Sequence, residues 1–464
     1  VSRTISAQES INLLPEFNAQ TSKQRSMVPR PGWDADATGV SEGVARQFWA
    51  MGGFDYCVVG PTVYRRESGA AIGTAWTNIG AVVDDGQQMG VADDGSTALL
   101  CGSNDNYVVS GSSVTLNNVV GIPGGQAVAY ANGYWLKAFP DSNKFAQSDL
   151  DDPTTWPALD QAFERQTPGN IVDIVYDDGD VLIFKEQSVG YWYESGAPTG
   201  IAFDRVPQLT TPIACLSANS IRTNIGNSVL FLGREQGMAA GVYALAGRQF
   251  RRVSTPAIDH QISLIEDLSS AVAYRIGFAS HSLYVLTFPN QAAYAFDAST
   301  GEWHRWQTHG RNDFIGRLAI TSGNHALFLR DEDGPARLNP DSAEDGDGPI
   351  VFRRVTAPVE LQGRPFTLDW VELDCDVGGL EARTGTSAGS LPDEYIVSLY
   401  VSENNGVTWQ GPYQAPLGPE GAYNHRVKWS GLGMFREVVF RVEVTQPILP
   451  YLNGLRCGIR TGRA

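Results

Sequence analysis

The run Ile171-Val172-Asp173-Ile174-Val175-Tyr176, then Asp177-Asp178-Gly179, then Val181-Leu182-Ile183-Phe184, decides the fold of this chain. Two strand-length runs rich in β-branched and aromatic residues flank a turn in which Asp can bond the local backbone and Gly supplies positive φ. That pattern predicts a hairpin, and Ser188-Val189-Gly190-Tyr191-Trp192 adds a third strand ending in aromatics. Upstream, Asn132-Gly133-Tyr134-Trp135 leads through Phe145-Ala146-Gln147 into a polar loop, Ser148-Asp149-Leu150-Asp151-Asp152-Pro153-Thr154-Thr155-Trp156, before the hairpin begins.

The same grammar extends over most of the chain. Apolar and polar residues alternate in short runs, the period of half-buried strands. Asp84-Asp85-Gly86, Asp93-Asp94-Gly95 and Asp333-Gly334 repeat the turn chemistry and are read as further hairpin tips. Hairpin pairs recur irregularly from Phe54 to Arg337, including Ser282 to Phe288, Ala293 to Asp297 and Gly301 to Trp306. The best helix candidate runs from Asp259 to Ser269. The fold class is therefore all-β. Small antiparallel sheets pack most economically around an axis, which predicts an irregular β-propeller of roughly 5 to 7 blades. Residues 1–35 read as an extended N-terminal arm and 36–350 as the propeller, ending in an acidic, Gly/Pro-rich loop over 331–348. Residues 351–464, with longer strands and a Gly/Ser-rich loop over 378–390, read as a C-terminal β-sandwich domain.

With 464 residues, 42% of them hydrophobic, the chain has enough apolar surface for a folded core. Its net charge of -17 argues against gripping nucleic acid by neutralising phosphates; acidity suits a wall past which DNA slides, and equally serves solubility alone. Cys57, Cys101, Cys215, Cys375 and Cys457 lack C-x-x-C spacing, so they read as free thiols made in a reducing cytosol. No apolar run approaches the length of a membrane span, and the start shows no secretory apolar region; no membrane segment and no signal-peptide export are expected.

Several segments, in order, resemble the tail nozzle or hub protein of short-tailed bacteriophages, the packaged-DNA stabilisation protein family. They are Asn12-Leu13-Leu14-Pro15-Glu16, Pro29-Arg30-Pro31-Gly32-Trp33, Tyr64-Arg65-Arg66-Glu67, the 132–196 blade, with Gln166-Thr167-Pro168-Gly169-Asn170 in it, Asn404-Asn405-Gly406-Val407-Thr408-Trp409, and the closing Leu452-Asn453-Gly454-Leu455-Arg456-Cys457. The resemblance implies a non-enzymatic structural protein of the virion tail, assembled in the host cytoplasm, and a homo-oligomeric ring, expected to hold six copies. It further implies a head-to-tail adaptor ring above, tailspikes or tail fibres at the side, a needle or plug, and transient, non-specific passage of double-stranded DNA.

Other motifs have a structural reading. Gly39-Val40-Ser41-Glu42-Gly43 fits G-x-S-x-G, but no buried strand precedes it, so no catalytic serine is expected. Ser402, Asn404, Gly406 and Trp409 form a box like the hairpin signature of sialidase propellers, a folding device in itself. Ser148, Asp149, Leu150, Pro153 and Trp156 are the matching structural motif of the 132–196 blade. The acids from Asp341 to Asp347 depart from calcium-loop spacing, and the six histidines show no metal-site pattern. Gly121 to Gly125 lacks the Lys of a phosphate cradle. No catalytic residue, cofactor or metal is assigned. The competing readings are a carbohydrate-active propeller, sialidase-like or lectin, motivated by 11 Trp and 17 Tyr, and a cellular scaffold propeller.

Overall fold

A computed structural model describes residues 9–17, 25–117, 122–197, 200–246, 248–346, 348–377, 395–418 and 425–461. The Gly/Ser-rich loop expected over 378–390, and the parts of the expected arm at 1–8 and 18–24, lie outside them. The chain divides into two compact units, one of residues 35–289 and 315–337, the other of residues 1–34, 290–314 and 338–464.

The first unit is a circuit of antiparallel modules. Ala45–Met51, Phe54–Val59, Thr62–Glu67 and Thr77–Ala81 make the first sheet; Gly90–Asp93, Thr97–Cys101, Asn106–Ser110 and Ser113–Asn117 the second. The third holds Val128–Ala131, Tyr134–Ala138, Lys144–Gln147 and Gln161–Phe163, and the fourth Ile171–Asp177, Asp180–Lys185, Val189–Glu194 and Phe203–Thr211. A fifth sheet runs from Ile213 to Arg252, a sixth module opens with Val272–Phe278 and His281–Phe288, and a seventh with Gly316–Ser322 and His325–Arg330. Ala45–Met51 neighbours Gly90–Asp93, which neighbours Val128–Ala131, then Ile171–Asp177; Val272–Phe278 neighbours Gly316–Ser322, which returns to Ala45–Met51. The circuit closes after seven modules, and the fold is the expected all-β propeller.

Each module buries its faces against the next. Trp49, Tyr56 and Val58 meet Leu100, Tyr107 and Val109 between the first and second modules. Leu136 and Phe145 meet Ile174, Ile183 and Trp192 between the third and fourth. The approach is so close at Gly90 that a Cβ there would lie 1.7 Å from the Gln126 carbonyl oxygen, which excludes any larger residue without a backbone shift. Buried cations tie down the linkers. Arg46 donates to the Gln87 and Val83 carbonyls at 2.8 and 2.7 Å and to Asp85 at 2.5 Å. Lys137 donates to the Gly125 carbonyl and Lys185 to those of Glu164 and Thr167.

Closure between the seventh and first modules combines an apolar core, in which Phe48, Cys57 and Val59 meet Leu318, Leu327 and Leu329, with buried polar ties. Fully buried Asp36 accepts from Arg66 at 2.8 Å and from Arg337 at 3.0 Å, while the Arg66 guanidinium lies 4.4 Å from the Trp76 ring centre. Buried Asp55 accepts from Ser68 at 2.6 Å and from Ser322 at 2.5 Å, and Gly69 N–H donates to Ser322.

The second unit is built on two sheets around a shared core. One runs Ala292–Asp297, Glu302–Arg305, Glu9–Ile11, Phe352–Val355, Glu437–Val444, Tyr395–Ser402 and Gln410–Gly418; the other Leu13–Phe17, Arg25–Pro29, Pro450–Thr461, Phe366–Val377 and His425–Phe435. Val397, Leu399 and Phe440 from the first meet Leu13, Leu368, Val371 and Trp429 from the second. Arg30 is the knot of this unit. Its guanidinium makes five hydrogen bonds, two to Asp345 at 2.9 and 2.6 Å and the others to Asn12 Oδ1, the Pro31 carbonyl and the Gln307 carbonyl. Arg30, Asp345 and Asn12 are all fully buried.

Four expectations need correction. The described part of residues 1–35 is not an extended arm, because Glu9–Ile11, Leu13–Phe17, Arg25–Pro29 and Gly32–Ala35 are sheet strands. Their backbone groups are paired by ladders that local composition does not reveal. The expected loop over 331–348 contains the strand Gly334–Asn339 and the buried Asp345. The helix begins earlier than expected and spans Pro256–Ile262, because Thr255 caps it and Pro256 suits its first position; Leu268–Ser270 is a separate 3-10 turn. Asp84-Asp85-Gly86 is a linker between modules, held by Arg46, and not a hairpin tip. By contrast Asp178 and Gly179 take φ of 48° and 86° in the tight turn that pairs Asp177 with Asp180.

Candidate functional site

Modules packed around an axis leave their first strands facing a common channel. Here a cavity of about 290 Å³ is lined from all seven modules, including Gln47, Gln88, Gln126, Asp173, Arg222 and Tyr274. The Gln47 side-chain amide donates to the Met89 carbonyl at 2.5 Å, and that of Gln126 to the Gln88 carbonyl. Two of the three glutamines thus clamp neighbouring modules together at the channel wall. Asp173 Oδ1 accepts from Ile174 N–H at 2.8 Å. Burial pushes the Asp173 carboxyl up to about 7, against the opposing pull of that N–H and of the Arg222 and Lys137 charges. Burial likewise lowers the Arg222 pKa.

A raised carboxyl pKa has a sign in stability. Unfolded Asp titrates near 3.9, so folding takes up a proton between about pH 4 and 7, and stability falls as pH rises through that window. Asp173→Asn is expected to melt like the parent near pH 4 and above it at pH 8. Equal melting shifts at both pH values would refute the Asp173 assignment.

Asp173 stands in the middle of an apolar strand run, a signal that sequence reading passed over. The glutamines carried no signal, since Gln47, Gln88 and Gln126 come together at one cavity only once the modules close around the axis.

The third module holds the first predicted motif. Ser148 is fully buried; its Oγ accepts from Trp135 N–H at 3.0 Å and donates to the Asp149 carbonyl at 2.7 Å. Asp149 N–H donates to the Thr155 carbonyl at 2.8 Å, Pro153 is buried, and Trp156 Nε1 donates to the Pro153 carbonyl at 2.8 Å. Leu150 is 59% exposed and lines a surface cleft of about 560 Å³ with Tyr134 and Leu159. Trp156 is half-buried against a core centred on Trp135, so it is a lid on that core and not its centre. Trp156→Ala is expected to lower unfolding stability by about 1–2 kcal/mol, read from the urea midpoint.

The second motif lies in the other unit. Ser402 Oγ accepts from Gly406 N–H at 2.9 Å, Asn404 Oδ1 accepts from Thr408 N–H at 2.8 Å, and Gly406 has φ of 83°. Arg441 lies 3.8 Å from the Tyr400 ring centre and 4.8 Å from that of Trp409. The guanidinium therefore takes a face of each ring that a sugar would need. Ser402→Ala is expected to cost about 1 kcal/mol, measured by chemical denaturation.

Ser41 Oγ is 2.5 Å from the Tyr64 hydroxyl, in a turn and not on a nucleophile elbow. Cys57, Cys101 and Cys215 are buried free thiols, and burial raises their pKa, which makes them poor nucleophiles; Cys375 is buried too. Among the described residues no cluster of His, Cys, Asp and Glu could hold a metal ion, and no helix is long and apolar enough to cross a membrane.

The family described as Bacteriophage P22 Gp10, beta-propeller, matches residues 6–324. No curated protein matches the chain. Among solved structures, the extracellular domain of BT4673 from B. thetaiotaomicron aligns at 10% identity with a TM-score of 0.43, covering 66% of this chain and 40% of that one. The chain thus spans about two fifths of that relative's length. The N-terminal domain of Nup159 aligns at 10% identity and TM-score 0.39, covering 71% and 98%. The computationally designed Ika8 protein aligns at 10% identity and TM-score 0.40, covering 71% and 99%.

Proposed function

The chain belongs to the family of the bacteriophage P22 Gp10 beta-propeller, and from that premise we propose that it is a structural component of a short-tailed phage, the nozzle ring that continues the DNA channel below the adaptor. In this reading it retains the packaged genome and anchors tailspikes or fibres in the virion. The family match over 6–324 carries the reading.

The channel within one propeller supports a particular geometry for passage. Its cavity of about 290 Å³ has room for about ten waters at ~30 Å³ each. A duplex whose major groove alone is about 12 Å wide cannot enter it. DNA would pass through a lumen enclosed by several copies, six in our reading. The charge of -17 on each copy makes that wall repulsive within about 8 Å at physiological salt, so the duplex slides and does not adhere. Retention then depends on a plug or gate and not on sequence readout.

Particles assembled without this protein are expected to package DNA and then lose it, and electron microscopy of complete particles to show a ring of this chain below the adaptor. Genome retention by particles lacking it would refute the proposal. The carbohydrate-active alternative predicts turnover of a fluorogenic sialoside, and measurable turnover abolished by a channel substitution would favour it.

A further inference from the structure

We propose that the central channel of the propeller unit is a binding site for a small organic acid that also carries a hydroxyl, with Arg222 holding the carboxylate and Gln88 accepting from the hydroxyl. The inference rests on the fold of this unit and is independent of the tail assignment.

Arg222 carries the argument. It lines the cavity, makes no ion pair among the described residues, and has one carbonyl partner, Ile221 at 2.5 Å. A guanidinium has five N–H donors, so most of its capacity has no acceptor among the described residues. A cation set deep in a protein is unfavourable unless it is paired, and an anion in the channel would pair it. Carboxylate fits the planar fork in two parallel hydrogen bonds.

Gln88 supplies the second, independent requirement. Its side-chain Oε1 is buried and has no hydrogen-bond partner, whereas the amide groups of Gln47 and Gln126 are engaged with carbonyls of the neighbouring module. Buried acceptors are nearly always satisfied, so this oxygen calls for a donor. A hydroxyl on the bound acid provides it.

Asp173 completes the site. Its Oδ1 is taken by Ile174 N–H, and Oδ2 remains for a ligand. Pushed up to about 7 by burial, with Arg222 and Lys137 as the charges facing it and Cys215 beside it, the carboxyl is mostly protonated only below that pH. A protonated Asp173 donates to an anion and does not repel it. The cavity of about 290 Å³ sets the size: a hydroxy acid of three to six carbons fits, and an oligosaccharide does not.

The test is isothermal titration calorimetry on the full chain at pH 6.5 with glycerate, with propionate as the acid lacking hydroxyls and ethylene glycol as the diol lacking the acid. Glycerate is expected to bind at least about tenfold more tightly than propionate, since a polar site discriminates against a ligand that leaves its buried groups unmatched. Ethylene glycol is expected to give no heat. Arg222→Met should weaken glycerate and propionate alike by tenfold or more, and Gln88→Leu should weaken glycerate alone, down to the propionate level. Circular dichroism and melting show whether each variant is folded; should Arg222→Met fail to fold, Gln88→Leu and the propionate comparison still decide. Absence of heat from glycerate at millimolar concentration overturns the site, as does equal affinity for the two acids or glycerate binding unchanged in Gln88→Leu.

Discussion

Replacing Arg30 by alanine is expected to destabilise its unit by about 3–5 kcal/mol, because it strands a buried carboxylate. Asp345 would lose both short bonds from Arg30, at 2.9 and 2.6 Å, in a site where neither residue has any exposed side chain. Among the described residues it would keep the His309 N–H, at 3.2 Å. Asn12 Oδ1 and the Pro31 and Gln307 carbonyls would each lose a donor as well. The guanidinium also lies 5.1 Å from the Phe314 ring centre and 5.7 Å from that of Trp306, and the loss is read from the urea unfolding midpoint. The pair Arg30→Met with Asp345→Leu should recover much of the loss, since an apolar pair of similar volume needs no charge compensation. An Arg30→Ala midpoint equal to that of the parent would refute the knot.

Replacing Trp135 by alanine is expected to cost about 3–5 kcal/mol, the range for emptying a large aromatic site in a core. Trp135 is fully buried among Ala92, Leu99, Cys101 and Val128, at the seam of the second and third modules. Its ring centre lies 4.7 Å from that of Tyr130, and its Nε1 donates to the Ala92 carbonyl at 3.1 Å. Truncation removes the packing and leaves that carbonyl without its donor. Trp135→Phe keeps most of the volume and should lose about 1–2 kcal/mol, chiefly the hydrogen bond. Urea midpoints should therefore fall in the order parent, Phe, Ala, with Trp156→Ala well above Trp135→Ala. If Trp156→Ala were the more damaging change, the seam would be centred on the polar loop and not on Trp135.

The difference in burial between Trp135 and Trp156 shows where local reading ended. Alternation and turn chemistry were enough for most of the propeller strands and for tips such as Asp177-Asp178-Gly179, because each depends on neighbours two or three residues away. The box of Ser402, Asn404 and Gly406 was legible for the same reason: its bonds span at most four residues. Period two tells that a strand has two faces. It does not tell which neighbour covers each.

Only the tertiary structure decided the rest. Arg337 meets Asp36 across 301 residues and Arg30 meets Asp345 across 315, separations at which sequence spacing carries no periodic signal. The residues taken for an arm became strands because their partners, among them Phe352–Val355 and Pro450–Thr461, come near the other end of the chain. The channel followed from closure as well, since Gln88, Asp173 and Arg222 share one cavity only when seven modules complete a circuit. Local sequence thus determined the pieces, whose hydrogen bonds and turns are satisfied nearby, while the order in which they pack determined which charges are buried together.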